Sequence, residues 1–341
     1  MDILNVKDLY LPSGYINWEI LRDLPFKCKV VVGGRGGGKT YGALKSEYQH
    51  KELFMYLRRT QKQLRMIMKE SYQPFAKINQ DLGIDIHPYK DSDDLGMFKD
   101  RGSGEIIGMM AALSTIAAIR GFDGSKIKRI IYDEFIPEQS EVQRFDAADA
   151  LWNAHETINR NRELDGDPPV ELWLLSNSNT IYGEIIMQLR IGSVLWEMQR
   201  DKVEVMADPE RSLMVFLPQA PVFKARKSET FLYKLTEGSE FQRMALNNEF
   251  VIQDERMIRE RPIIEYKPLV SINDILICRH KSRKEYYVTD KMFGSPEVYK
   301  MTDQDLKRYK KDHPSIVFAQ QNQRVYFKDL DCQSRFFQVY S

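Results

Sequence analysis

The sequence predicts an α/β fold: a parallel sheet with helices on both faces, then a helical connection and a small, separate, strand-rich domain. Three observations predict it. Short apolar runs alternate with stretches of helical spacing up to about Val205, as expected when parallel strands are joined by crossover helices. The runs are almost continuously apolar, which fits strands buried on both faces. After Pro262 the pattern changes to short strand-like segments between turns.

Residues 29–32 contain three consecutive valines and read as a buried strand. A glycine-rich turn leads into a helix over residues 40–49. Residues 53–57 form a second strand. Helical spacing runs from Thr60 to about Asn79, with Leu64, Ile67, Met68 and Phe75 on one side. Residues 81–108 read as a hairpin excursion turning at Gly102-Ser103-Gly104, and residues 106–113 as another strand. Residues 129–132 are a further apolar strand. Residues 140–162 read as a helix with Ser140 as its cap, and residues 172–175 as a strand. Pro209, Pro218 and Pro221 mark a linker, followed by a helical piece over residues 229–250. Strands at 275–278, 286–289, 325–327 and 336–340 build the small domain. The expected division is 1–205, 206–264 and 265–341.

At 341 residues, 43% of them hydrophobic, the chain can bury a sizeable core in one large domain and one or two smaller ones. Cys28, Cys278 and Cys332 are scattered and form no C-x-x-C pair, so neither a disulfide framework nor a zinc site is expected. A reducing, cytoplasmic setting fits that usage. The N-terminus lacks a basic-then-apolar signal pattern, and no apolar stretch nears the roughly 20 residues of a membrane span. A soluble protein is expected. The net charge of +1 does not announce a nucleic-acid binder. Any polyanion contact must come from local patches.

Gly33-Gly34-Arg35-Gly36-Gly37-Gly38-Lys39-Thr40 fits the phosphate-loop pattern G-x-x-x-x-G-K-[ST] without exception. Glycines let successive N–H groups point at one anion, and the following helix adds its positive end. Lys39 supplies a point charge for the β and γ phosphates, and the Thr40 hydroxyl a ligand for Mg²⁺. Arg35 reads either as an extra positive group near the phosphates or as a solvated loop charge.

Ile130-Ile131-Tyr132-Asp133-Glu134 is an apolar strand ending in two carboxylates. The expectation is that this strand lies beside the loop strand and turns its C-terminal end to the phosphates. Asp133 would hold Mg²⁺ through water. Glu134 would act as general base toward an attacking water, which favours an ATPase over a nucleotide kinase. Ser176-Asn177 ends another strand, so Asn177 is either a γ-phosphate sensor or part of an Asx-type turn. Arg120 and Arg160 are candidates for an arginine reaching a neighbouring subunit's phosphate, or are solvated. Arg58, Arg59, Lys62 and Arg65 could meet nucleic-acid phosphates, or form an ordinary amphipathic helix surface.

These motifs resemble a known family. Val31 through Tyr41 is similar to the Walker A segment of viral large terminases, where an early loop arginine is typical. Ile131-Tyr132-Asp133-Glu134-Phe135-Ile136 resembles more closely the small packaging ATPases of salasvirus-like tailed phages. So do Tyr56-Leu57-Arg58-Arg59, Ile158-Asn159-Arg160-Asn161-Arg162-Glu163 and Leu175-Ser176-Asn177. A weaker similarity continues through Thr236-Glu237-Gly238-Ser239-Glu240 and Asn247-Asn248-Glu249-Phe250.

The resemblance implies a P-loop NTPase of the additional-strand, catalytic-glutamate type with a small, degenerate RNase H-like C-terminal domain. It implies ATP and Mg²⁺ as cofactors, and a homomeric ring, expected as a pentamer, docked on the portal of a procapsid in the host cytoplasm. The ring would drive double-stranded DNA inward; whether a packaging RNA takes part stays open. The resemblance makes Arg160 and Arg120 trans-acting and Glu134 both base and switch. Relatives carry basic residues after the Asp-Glu-Phe-Ile segment, where this chain has Pro137-Glu138-Gln139. The expected DNA contacts therefore move to Lys62 and Arg65. Alternatives are another ring or helicase-like ATPase, a nucleotide-dependent scaffold, or a full terminase with nuclease activity. The short chain and the turn-like placement of Asp274, Asp290, Asp329 and Asp331 speak against the last.

Overall fold

The computed structural model describes all residues except 1–4, 120–122, 138–145, 180, 182, 248–249, 251–256, 273 and 340–341. The chain divides into two compact units. One comprises Met1–Pro137, Phe145–Asn179 and Val194–Glu249; the other comprises Glu138–Arg144, Thr180–Ser193 and Phe250–Ser341.

The first unit is built on nine strands: β1 (Cys28–Val32), β2 (Phe54–Arg58), β3 (Ile86–Lys90), β4 (Leu95–Asp100), β5 (Ile106–Ala112), β6 (Arg129–Asp133), β7 (Glu171–Ser176), β8 (Val205–Asp208) and β9 (Leu213–Phe216). Their order is β3-β4-β5-β2-β6-β7-β1-β9-β8. From β5 to β9 every neighbouring pair is parallel, while β3, β4 and β8 pair antiparallel at the two edges. Val30, Val31 and Val32 of β1 are completely buried, which explains the unbroken apolar run: a central strand has no solvent face.

The helices of this unit include α1 (Trp18–Asp23), α2 (Lys39–His50), α3 (Gln61–Ile67), α4 (Ala76–Leu82) and α5 (Ala147–Asn159). On one sheet face, Phe98 meets the rings of Phe54, Tyr56 and Phe75 with centroids 6.2, 6.0 and 5.0 Å away. At the N-terminal ends of β6 and β7, Arg129 pairs with Glu171 at 3.0 Å and stacks 4.2 Å over Trp173.

Several expectations are corrected. The helix expected over residues 60–79 is two helices, α3 and α4, separated by a 3₁₀ turn at Glu70–Tyr72. Pro74 follows that turn, and a proline cannot continue the hydrogen-bond ladder. Helix α5 begins at Ala147 and not at residue 140. Its cap is Asp146, whose carboxylate accepts from Ala148 N and Asp149 N, while Ser140 lies outside the described residues. The stretch expected to open the linker instead supplies β8 and β9, so β1 gains a second parallel neighbour.

After β7 come α6 (Glu184–Gln188) and α7 (Gly192–Asp201). The helix expected over residues 229–250 is part of a run of three short ones, α8 (Pro221–Ser228), α9 (Phe231–Leu235) and α10 (Glu240–Asn247). Gly238, with φ of 75°, stands between the last two.

The second unit holds β10 (Tyr266–Ile272), β11 (Ile275–His280), β12 (Tyr286–Thr289), β13 (Glu297–Tyr299) and β14 (Val325–Phe327), in the order β13-β10-β11-β12-β14. An antiparallel meander of three strands is flanked by a parallel strand on each side. With it go α11 (Asp303–Asp312), α12 (Pro314–Gln321) and α13 (Leu330–Gln338). The last strand expected, at 336–340, is therefore corrected to helix. Asp329 caps it by accepting from Cys332 N at 2.8 Å, and Cys332, Phe336 and Val339 are buried at helical spacing. Among the described residues no helix is long and apolar enough to cross a membrane.

Candidate active site

Strand β7 lies between β1 and β6. The expectation that the acidic strand is the loop strand's direct neighbour is thus corrected: one strand intervenes. The acids still face the loop because the strands end level. Val32 is in register with Ser176, and Leu175 with Asp133. Adjacent strands lie roughly 4.8 Å apart, so the ends of β1 and β6 are separated by roughly 10 Å. Asn177 follows the strand between them.

The phosphate loop opens with Gly33 N donating to Ser176 O at 3.1 Å. Gly36 and Gly38 have φ of 82° and 87°, a region that a side chain disfavours. Gly38 also caps α2. Trp18 Nε1 donates to Gly38 O at 3.1 Å, and a Cβ on Gly42 would lie 1.9 Å from Trp18 Cδ1. Glycine inside α2 thus lets α1 close against the helix that carries Lys39.

The Lys39 ammonium donates to Gly33 O and Gly34 O, each at 2.8 Å, and to Asn177 Oδ1 at 3.2 Å. It is buried. Burial lowers its pKa to about 8; Lys227 and Arg35 push the same way and Asp133 opposes them. Thr40 Oγ1 donates to Asp133 Oδ2 at 3.0 Å. The same oxygen accepts from Tyr56 OH at 2.6 Å and Arg58 Nη1 at 3.2 Å. Arg58 Nη2 also pairs with Glu134 Oε2.

Burial, reinforced by Asp133, raises the Tyr56 pKa well above the usual phenol range, so Tyr56 stays a donor. Burial alone would depress Arg58, but Tyr56, Asp133 and Glu134 more than offset it. Glu134 is exposed, and its φ of 59° is left-handed. That conformation costs about 1–2 kcal/mol for a residue with a Cβ, and such outliers concentrate at functional sites. A hydroxyl and a carboxylate oxygen within 3.0 Å of each other are hard oxygen donors of the kind a small divalent cation takes.

Five of the residues read from the sequence therefore meet here: Lys39, Thr40, Asp133, Glu134 and Asn177. Arg35 is exposed on the loop. Arg160 is elsewhere. It ends α5, and Val170 N, just before β7, donates to Asn159 Oδ1 at 2.8 Å. The six residues of β7 put Arg160 roughly 20 Å from its own loop, by the N-terminal ends of the strands whose C-terminal ends carry the loop and the acids. Arg162 is pinned there by Ile127 O, Gly124 O and Ser125 O at 2.6–2.7 Å. Lys62 and Arg65 are exposed on α3. Arg120, Glu138 and Gln139 lie outside the described residues.

Arg58, expected among the nucleic-acid contacts, instead bridges the two acids. Its signal was available: it follows an apolar run directly, as Asp133 does. Phe223, whose ring lies 5.1 Å from that of Tyr15, and Lys227, whose ammonium donates to Arg35 O, stand beside the loop, and nothing local in the sequence marks them. A cavity beside the loop is lined by Gly34, Gly37, Lys39, Ile16, Phe223 and Leu246, among others.

Comparison with known proteins places the chain in a family and gives it neighbours in fold. The model of a family described as Podovirus DNA encapsidation protein (Gp16) matches residues 13–307. A DNA packaging protein of Bacillus phage B103 is 26% identical over 299 residues, covering 81% of this chain and 82% of that protein. A DNA packaging protein of Bacillus phage phi29 is 23% identical over 240 residues, covering 68% and 64%. Among solved structures, the Phi-28 gp11 DNA packaging motor superposes with a TM-score of 0.56 at 17% identity, over 96% of this chain and 98% of that one. The phi29 genome packaging motor assembly gives 0.54 at 18% identity, over 96% and 99%. At these identities the likeness is one of fold.

Proposed function

Since the chain belongs to the Podovirus DNA encapsidation protein (Gp16) family, and so serves viral DNA packaging, we propose that it is the packaging motor's ATPase, hydrolysing ATP to move double-stranded DNA. The observation that carries this reading is the convergence of Lys39, Thr40, Asp133, Glu134 and Asn177 at the C-terminal ends of β1, β6 and β7. In it the loop amides and Lys39 bind the β and γ phosphates. The apolar wall of Ile16, Phe223 and Leu246 suits the base. Thr40 and Asp133 would hold Mg²⁺, which when bound would supply charge neutralisation for the phosphates.

Glu134 takes the proton of the water that attacks the γ-phosphorus, and ADP leaves. For that, Glu134 must let go of Arg58, so the ion pair between them holds the base off line. Asn177, bonded to Lys39, passes to the γ-phosphate. Arg160 cannot reach its own loop and acts on the next subunit's, which requires an oligomer; on the resemblance we read it as a pentameric ring seated on the procapsid portal, with or without a packaging RNA, in the host cytoplasm. Arg120 is carried as a second trans-acting residue on the resemblance alone. Lys62 and Arg65, exposed on α3, are the proposed DNA contacts. The C-terminal unit is read as a degenerate RNase H-like domain, supported by its mixed five-stranded sheet with helices.

The test is ATP turnover by the purified protein with and without portal-bearing procapsids and DNA. Procapsids and DNA together are expected to stimulate it, and Lys39→Ala to abolish it. Equal turnover with and without them would remove the motor reading and leave a plain ATPase.

A pH dependence follows from Lys39. Its ammonium is charged below about pH 8 and neutral above it, whereas bound phosphates favour the charged form. Nucleotide binding therefore takes up a proton above that pH, and affinity falls as pH rises through it. Calorimetry at about pH 9, in two buffers of different ionisation enthalpy, is expected to show uptake of about one proton per ATP. No uptake would mean either that Lys39 is already charged in the free protein or that it does not meet the phosphates, and the affinity of Lys39→Ala for ATP separates the two.

A further inference from the structure

Helix α8 brings a cation to the phosphate loop from a part of the chain that no motif marks. The Lys227 ammonium donates to Arg35 O within the loop, and to Ala245 O of α10 at 3.4 Å. A Cβ on Gly36 would lie 3.5 Å from that nitrogen and 3.4 Å from Phe223 Cζ, ordinary contact distances, so the ammonium and the ring pack directly against the loop backbone. Two rings flank the ammonium, Phe223 at 5.3 Å and Tyr233 of α9 at 4.9 Å. The helix is held in place: a Cβ on Gly14 would lie 2.7 Å from Phe223 N, and Arg226 Nη1 donates to Ser13 O at 3.3 Å.

Among the described residues the hydrogen-bond partners of Lys227 are neutral carbonyls, and no carboxylate is paired with it. Lys39, Arg35 and Lys227 thus gather three like charges about one glycine loop. Lys227 is near enough to help depress the Lys39 pKa. Like charges crowded around backbone amides are stabilised by a polyanion. Exchanging a neutral carbonyl for a phosphate oxygen also turns a hydrogen bond with one charged partner into one with two, adding the attraction of an ion pair.

We infer that Lys227 is a second phosphate-directed cation supplied by the same chain, through which occupation of the loop is transmitted to helices α8–α10. This rests on the reading of the loop as an ATP site. When phosphate takes the ammonium, the bonds to Arg35 O and Ala245 O are given up. The loop, α9 and α10 then lose their common partner.

Lys227→Gln keeps a donor for Arg35 O but removes the charge, and Lys227→Arg keeps the charge. Calorimetric titration with ATP should show the Gln variant weakened about tenfold or more and the Arg variant near the unaltered chain. A strap that merely holds the loop would leave Gln and the unaltered chain alike, which would overturn the inference. Amide hydrogen exchange over residues 221–247 should change on ATP binding in the unaltered chain and much less in Lys227→Gln. No ATP-dependent change in the unaltered chain would also overturn it. Should the unaltered chain fail to bind ATP, with Lys39→Ala no different, the nucleotide reading itself falls; normal ATP binding with an indifferent Lys227 sinks only this one.

Discussion

Glu134→Gln is expected to bind ATP about as tightly as the unaltered chain and to turn it over about 10² to 10⁴ times more slowly, the usual contribution of a positioned general base. The amide is nearly the shape of the carboxylate and can still accept from Arg58, so the left-handed turn after β6 keeps its support. What it loses is the ability to take a proton. Binding survives because the phosphates are held by the loop and Lys39, on the far side of β7. Single-turnover hydrolysis beside equilibrium binding separates the two. Turnover within a few-fold of the unaltered chain would remove Glu134 from the chemistry, whatever its strained φ of 59° signifies.

Arg160→Ala is expected to leave ATP binding intact and to lower turnover by about 10³, as for an arginine that completes a neighbour's phosphate site. Position excludes action on its own loop, since the residue stands by the N-terminal end of β7, the end away from the loop. Sharing can be tested directly by mixing Arg160→Ala subunits with Lys39→Ala subunits. Neither is active alone, but an Arg160→Ala subunit served by a Lys39→Ala neighbour has a complete site. Random equal mixing in a ring makes about a quarter of the sites complete, so a comparable fraction of turnover should return. A mixture no more active than its two parts would show that Arg160 does not act across an interface.

The residues of the candidate site were legible because they are written in short stretches. A loop of eight residues, an apolar strand ending in Asp133-Glu134 and another ending in Ser176-Asn177 each carry their chemistry within a few positions. The strands around them were legible for the same reason, since central strands announce themselves by unbroken apolar runs. Arg58 shows the limit. Its place at a strand end was visible, but whether it faced nucleic acid or the acids depended on β2 pairing with β6, which no local pattern encodes. Helix α13 shows a different failure. Its phenylalanines suggested a strand, whereas the buried spacing of Cys332, Phe336 and Val339 and the cap at Asp329 were there to be read.

From its own residue order the chain determined that a phosphate loop, two carboxylates and a polar strand end exist, and that they ride on an α/β sheet. Backbone stereochemistry and hydrophobic periodicity act over a few residues, so a linear text can hold them. Only the tertiary structure decided that β7 separates the loop strand from the acidic one, that Arg160 lies beyond reach of its own loop, and that Lys227 meets the loop from 192 positions away. Those facts are set by which strands pair and which helices pack, and such contacts arise between segments that share no local signal.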